Sequence, residues 1–240
     1  STIYSLSRTK ALDKDLKKEL ITLQRMFSGI ELIQINNSLF SQIKLNRNNR
    51  FYGFLMNVCQ IIYENTLPSE EQGSYKFTDF TRDENKMNQL FEAFIRNFYK
   101  IEQSKYNIVK KETIYWQFKN EERDGFQFVP KMETDITLEN NSEKIIIDAK
   151  YYRETMVINY DKEKIKSNNL YQLFSYLLNQ EDNTPKTVNA KGILLYPTIE
   201  KDYDLQYKYK SHTIEIRTIN LNSNWKLISN RLKEIIGFND

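Results

Sequence analysis

The chain has 240 residues, 40% hydrophobic and 28% charged, with a formal net charge of +3. That is enough for one large domain or two small ones with a real core, and too little charge to imply a partner by itself. A single cysteine (Cys59) excludes an internal disulfide and a cysteine-rich zinc site, and a single histidine (His212) removes most transition-metal sites. A metal here would need oxygen ligands, and a reducing cytoplasm is the expected compartment. No apolar run approaches the ~18 residues that cross a bilayer, and no signal-peptide h-region opens the chain. The six glycines form no phosphate-binding loop, so NTP-driven work would fall to another subunit.

In chain order, Leu12, Leu16, Leu20, Leu23 and Phe27 recur at helical spacing before Gly29 and predict a first helix. Phe51, Phe54, Leu55, Val58 and Ile62 predict a second, and both stripes are expected to be core. Between them Lys44, Arg47 and Arg50 form a small basic run among asparagines, either a phosphate contact or a solvated connection. Residues 64–75, with Pro68 and Gly73, read as a dividing loop. Thr81-x-x-Glu84 is a capping-box pattern, with Asp83 as a competing cap. The helix it opens has the stripe Met87, Leu90, Phe91, Phe94, Ile95 and Phe98. Glu92 falls on the shoulder of that stripe, where it either reaches along a packed sheet or pairs with Arg96. Thr113 to Phe118 predicts a strand, followed by a charged turn at Asp124-Gly125.

The polar cluster from Glu139 to Glu143 separates two runs rich in β-branched residues, which predicts a hairpin with strands 134–138 and 144–150. If Leu138 faces Ile145, then Asp135 faces Asp148, with Cβ atoms about 4.5–5.5 Å apart, and Lys150 shares their face. Two carboxylates at about 5 Å repel by roughly 3 kcal/mol at an effective dielectric near 20, a cost that a divalent cation would offset. Ile145, Ile147 and Ala149 point to the other face and suit a core. The alternative is an exposed hairpin in which Lys150 bridges two surface aspartates.

A helix follows, with Ser167 as its cap and Leu170, Leu173, Phe174 and Leu177 as its buried stripe. Gln172 and Tyr176, one turn apart, fall on its other side, and spacing alone makes them surface residues. Lys162, Lys164 and Lys166 precede it, and Asn168 and Asn169 open it, as a phosphate cradle or as a solvated charge run. Val188 to Tyr196 predicts a buried strand. Tyr203, Leu205, Tyr207 and Tyr209, then Ile214 and Ile216, predict two antiparallel strands. Trp225, Ile228, Leu232 and Ile235 predict a last helix closed by Gly237. Together these elements describe an α/β core with a mixed central sheet, preceded by helices and extended by a C-terminal β-β-α piece.

Asp135, Asp148 and Lys150 resemble the acid and the D/E-x-K of the PD-(D/E)XK nuclease superfamily. Four blocks in order, MNQLFEAFI, METDITL, IIIDAKYY and SNNLYQLFSYL, resemble the McrC subunit of McrBC-type modification-dependent restriction systems. The likeness runs roughly from residue 8 to 236 and is strongest from Met87 to Leu178. One departure is that Thr134, not a proline, precedes Asp135; Pro130 lies further back.

The resemblance implies a restriction-endonuclease-like core over residues 71–240, with a helical N-terminal region over 1–70 packing on it. It implies magnesium, or manganese as a substitute, held by Asp135, Asp148, the Ala149 carbonyl and Glu92, with Lys150 acting on the attacking water. Gln172 would steady the site, since Q-x-x-x-Y resembles the fourth motif of RecB-like nucleases. Lys166, Asn168 and Tyr176 would contact double-stranded DNA. It further implies DNA carrying methylated cytosine, a McrB-type GTPase partner, dimerisation for double-strand cleavage, and a partner-binding region preceding the point where this chain starts. A RecB-like DNA exonuclease and a catalytically inactive DNA-binding scaffold are the alternatives.

Overall fold

The computed structural model describes residues 1–9, 12–46, 52–68, 75–77, 83–118, 125–152, 157–159, 162–198 and 202–238. Its contacts divide the chain into two compact units, Ser1–Met87 and Asn88–Asp240.

The first unit contains α1 (Thr2–Ser7), α2 (Lys14–Met26), α3 (Asn37–Gln42), α4 (Tyr52–Glu64) and an antiparallel pair, β1 (Thr66–Pro68) with β2 (Tyr75–Phe77). Helix α2 starts where Asp13 accepts the backbone N–H groups of Asp15 and Leu16 at 2.9 and 3.2 Å. Both predicted helices are present, but the described residues of their stripes are not core; Phe51 lies outside the described residues. Neither α2 nor α4 has a buried residue, and Leu16, Leu23 and Phe27 are exposed. Periodicity dictates a helix with one apolar face; burial needs a second surface, which the stripe cannot specify. Lys44 is exposed, while Arg47 and Arg50 lie outside the described residues.

Helix α5 (Glu84–Ile101) is opened by Asp83, whose side chain accepts the Lys86 N–H at 3.1 Å; Thr81 lies outside the described residues. From Asn88 onward α5 belongs to the second unit. There follow β3 (Ile108–Lys110), β4 (Thr113–Ile114), β5 (Met132–Glu133), β6 (Ile136–Glu139), β7 (Lys144–Ala149), β8 (Val157–Asn159) and β9 (Lys162–Lys164). The unit ends with α6 (Ser167–Asn179), α7 (Pro185–Val188), β10 (Lys191–Thr198), β11 (Asp204–Tyr209), β12 (His212–Asn220) and α8 (Trp225–Ile235).

Six strands form one sheet in the order β11-β12-β10-β7-β6-β3. β10 runs parallel to both β7 and β12, and the remaining pairs are antiparallel, so the expected mixed α/β sheet is present. One core joins Phe91, Ile95 and Phe98 of α5 and Leu232 of α8 to Leu138, Ile145, Ile147 and Ala149. The other joins Leu173 and Leu177 of α6 to Ile146, Leu194 and Ile216. Alternation along β7 thus feeds two cores. Gly192 of β10 lets α6 approach closely: a Cβ there would meet Leu177 at 2.9 Å and Leu173 at 3.0 Å.

Several expectations are corrected. The strand predicted over 113–118 forms a ladder only at Thr113 and Ile114. Beyond it the Gln117 N–H bonds the Asn179 side chain at 2.9 Å and Trp116 Nε1 bonds the Pro130 carbonyl at 2.8 Å, so side chains replace a strand partner. The sheet edge beside β6 is taken instead by the three-residue β3. β10 starts at Lys191, not Val188, because Pro185 opens the short α7 just before it. β11 and β12 are antiparallel as predicted, yet they complete the main sheet instead of forming an extension. Lys166, not Ser167, is the cap residue of α6. Gly237 closes α8 at φ 63° as expected, with the Phe238 N–H reaching the Lys233 carbonyl at 3.0 Å. No described helix is long and apolar enough to cross a membrane.

Candidate active site

The β6–β7 ladder pairs Leu138 with Ile145 and Ile136 with Ile147, the register the spacing predicts. One step further, Asp135 and Asp148 project from the same face as Lys150. The Ala149 N–H donates to Asp135 Oδ2 at 3.0 Å. Lys150 Nζ donates to Asp135 Oδ2 at 3.3 Å and to Asp148 Oδ1 at 2.8 Å. The bridge between the aspartates exists, but not at the surface. The Asp148 side chain is fully buried, and those of Asp135 and Lys150 are each 11% exposed, so the cluster meets solvent at these two.

The cluster is not electrically satisfied. Asp148 Oδ2 is buried with no hydrogen-bond partner. Burial pushes the Asp148 carboxyl up from 3.8 to about 7; the Lys150 charge opposes the shift and the Asp135 charge adds to it. Burial would lower the pKa of Lys150, but the charges of Asp148 and Asp135 outweigh it, and the net direction is up. Lys150 is therefore a cation shared by two acids, only one of which it can neutralise.

Glu92 stands apart from this pair. Its Oε1 accepts Asn88 Nδ2 at 2.6 Å, and its Oε2 lies 3.7 Å from Lys111 Nζ. Its pKa is raised, first by burial and then by the charge of Asp135, which places it within the cluster's field. Arg96, the alternative partner for Glu92, instead gives Nη1 to the Asp135 carbonyl at 3.1 Å. Among the described residues no three acidic, histidine or cysteine side chains stand close enough to hold a metal ion as they are placed.

On α6, Gln172 Nε2 donates to the Tyr176 hydroxyl at 2.6 Å, and that hydroxyl donates to the Glu133 carbonyl at 2.8 Å. Tyr176 is buried and its phenol is pushed up to about 12 by burial, so its placement on the outer side of the helix is corrected. The buried face of α6 is wider than its aliphatic stripe because the helix covers Ile114 and Met132 as well as the main sheet. Lys166 Nζ lies 3.4 Å from the ring centre of Tyr152, two residues beyond Lys150. Asn168 is exposed at the start of α6. Asn169 is buried, donating to the Tyr196 hydroxyl at 2.9 Å and accepting from that of Tyr152 at 3.3 Å, so it is not available to a cradle. Lys162 and Lys164 belong to β9, with side chains outside those described. His212 is buried between the Ala190 carbonyl and Glu181, at 2.9 and 2.8 Å, as a structural residue.

Two residues near the site, Asn88 and Lys111, were not singled out by the sequence, and Arg96 was read only as a partner for Glu92. Asn88 links Glu92 to the Tyr151 N–H, which its Oδ1 accepts at 2.8 Å. Arg96 fixes the main chain at Asp135. Lys111 lies beside Glu92 and, at 3.8 Å, Glu133. Asn88 and Arg96 lie one helical turn either side of Glu92, the only local signal they carry.

The sequence that folds into this sheet and brings two acids and a lysine to one strand end is similar, across most of the chain, to restriction-system components. The family described as "McrBC 5-methylcytosine restriction system component" matches residues 1–197, and the chain belongs to that family. It is 31% identical over 235 residues to the Type IV methyl-directed restriction enzyme EcoKMcrBC of Escherichia coli (strain K12). That match covers 98% of this chain and 67% of the relative. The likeness to McrC carried by the four sequence blocks is thereby borne out.

Proposed function

We propose that the chain is the nuclease subunit of a modification-dependent restriction system, a PD-(D/E)XK enzyme that hydrolyses DNA phosphodiester bonds with magnesium, or manganese in its place. The observation that carries this reading is the orphaned, buried Asp148 Oδ2 beside a second carboxylate. An unpaired buried carboxylate oxygen is costly, and an all-oxygen donor set suits a hard divalent cation. Asp135, Asp148 and the Ala149 carbonyl would hold the ion, with Glu92 joining directly or through water. When bound, such an ion polarises a phosphoryl oxygen and lowers the pKa of water.

The chain's own groups do the rest. Lys150, kept cationic by its two aspartates, orients the attacking water and offsets charge developing on the phosphate. Gln172 steadies Tyr176, and Tyr176 holds the Glu133 carbonyl just ahead of Asp135. Tyr176 thus serves the strand, while Lys166 and Asn168 remain for DNA phosphates. The family description supports methylated cytosine as the mark on the substrate, and the relative's name supports a methyl mark. A McrB-type GTPase partner, pairing of two nuclease subunits to cut both strands, and a cytoplasmic location go with the same reading.

The test is nicking of closed-circular, cytosine-methylated DNA in magnesium, with the GTPase partner present. Asp148→Ala and Lys150→Ala should each lose about 100-fold or more. Equal rates for all three proteins would leave only a scaffold, and cutting confined to linear DNA would make the enzyme an exonuclease.

A further inference from the structure

The short β4–β5 ribbon leads directly into Asp135 and has two unlike faces. Ile114 and Met132, paired across it, are buried in the core beneath α6, and Trp116 packs against the same core. The other face is open. Thr113 and Glu133, paired on it, are exposed, and so are Tyr115, at 63%, and Lys131. Lys131 Nζ lies 5.8 Å from the centre of the Tyr115 ring. At the end nearest the cluster, Lys111 Nζ sits between Glu92 Oε2 and Glu133 Oε2, at 3.7 and 3.8 Å, beyond hydrogen-bonding reach of either.

We propose that this open face, Lys111, Tyr115 and Lys131, is the track on which a DNA strand lies as it enters the site, and that Lys111 passes from Glu92 to a phosphate when Glu92 turns to the metal. The inference rests on the nuclease reading above. Its ground is complementarity of charge and shape. A nucleic-acid strand presents anions along one edge and flat rings along the other, and the ribbon offers two ammonium groups and one exposed ring on a backbone anchored from beneath, its one exposed carboxylate, Glu133, standing beside Lys111. Lys111 is held by charge alone, so it can change partner without breaking a hydrogen bond. Because it competes for Glu92, it opposes metal binding in the absence of DNA and favours DNA once the metal has arrived.

Two measurements test this, neither of them a rate. A short fluorescent DNA duplex is titrated at several salt concentrations with calcium in place of magnesium, so that the metal place is filled, and manganese binding is titrated without DNA. Lys111→Met and Lys131→Met should each weaken DNA binding severalfold regardless of sequence and lower the salt slope by about 1, while Lys208→Met on β11 should not. Lys111→Arg should keep the slope, and Tyr115→Ala should weaken DNA binding where Tyr115→Phe does not. Lys111→Met should also bind manganese severalfold more tightly, an effect opposite in sign to its loss of DNA. Unchanged salt slopes, or weakened metal binding in Lys111→Met, overturn the proposal even if wild type binds manganese and nicks DNA. Wild type that neither binds the metal nor cuts would overturn the nuclease reading itself.

Discussion

Lys144 and Lys150 project from one face at opposite ends of β7, and both are almost enclosed, yet their surroundings differ in one respect. At the Lys144 end every oxygen has a partner. Lys144 Nζ donates to Glu112 Oε1 at 3.1 Å and lies 2.9 Å from Oε2 as an ion pair, and Thr137 Oγ1 donates to Oε2 at 3.2 Å. Thr137 Oγ1 also meets Thr134 Oγ1 at 2.9 Å, which accepts the Glu112 N–H at 2.9 Å. Burial alone would raise the pKa of Glu112, but its bond to Lys144 outweighs that, and the net direction is down. At the Lys150 end two acids share one cation and an oxygen is left over. A closed network holds the fold together; an open one keeps a place for something else.

The largest expected effect exchanges the two lysines. Lys150→Met should abolish nicking, by about 100-fold or more, because it removes the cation at the reacting phosphate. Lys144→Met should leave the activity of the folded enzyme near wild type but cost about 2 kcal/mol in urea unfolding, since it leaves the Glu112 charge to the more exposed Lys110, 3.4 Å away. If Lys144→Met proved the more damaging to catalysis, the distinction between the ends would fail.

Acidity should separate them next, and with opposite signs. Asp148 has a folded pKa near 7 against an ordinary 3.8, so the folded state holds its proton more tightly. That stability is full below about pH 4 and is lost as pH rises through 7. In chelator, Asp148→Asn should therefore be more stable than wild type at pH 9 and about equal to it at pH 4. Glu112 is shifted down, so its contribution is present at neutral pH and is lost in acid. Glu112→Gln should thus be the less stable protein at pH 7, with the gap closing in acid. Melting curves at the two extremes suffice, and a pH-independent difference for Asp148→Asn would contradict its raised pKa.

The same contrast between satisfied and unsatisfied groups holds for apolar side chains. Ile147 is fully buried in the sheet of the second unit, and Leu23 is exposed on α2 of the first. Ile147→Ala should cost about 3 kcal/mol of unfolding free energy, whereas Leu23→Ala should stay within about 0.5 kcal/mol. The smallest effect falls on Arg96. Arg96→Met should loosen the main chain at Asp135 and weaken manganese binding about tenfold, measured by calorimetry, without moving the melting temperature by more than a few degrees.

How legible the molecule was follows from how local each determinant is. The hairpin register could be read because a polar turn and two β-branched runs fix it within a few residues, and Leu138 opposite Ile145 carries Asp135 to Asp148. Asp83 and Gly237 were readable as helix ends for the same reason. The supports of the site were not. Arg96 and Asn88 look like solvated positions on a helix, and their partners at Asp135 and Tyr151 lie 39 and 63 residues away. Lys144 with Glu112 and Tyr176 with Glu133 are equally distant pairings that no period encodes. The apolar stripe of α2 misled in the other direction, since periodicity reports which face is apolar and says nothing of what covers it.

Gly192 sets a separation that no side chain supplies. With only a hydrogen between β10 and Leu173 and Leu177, α6 rests almost on the backbone of the sheet, and the reach of Tyr176 to Glu133 depends on that stand-off. A methyl group at this position would act as a shim, tilting the helix and drawing its hydroxyl away from the strand that carries Asp135. Part of the tolerance of this centre is thus set where the chain has nothing to mutate away, and any enlargement there should be felt at the carboxylates before it is felt by the fold.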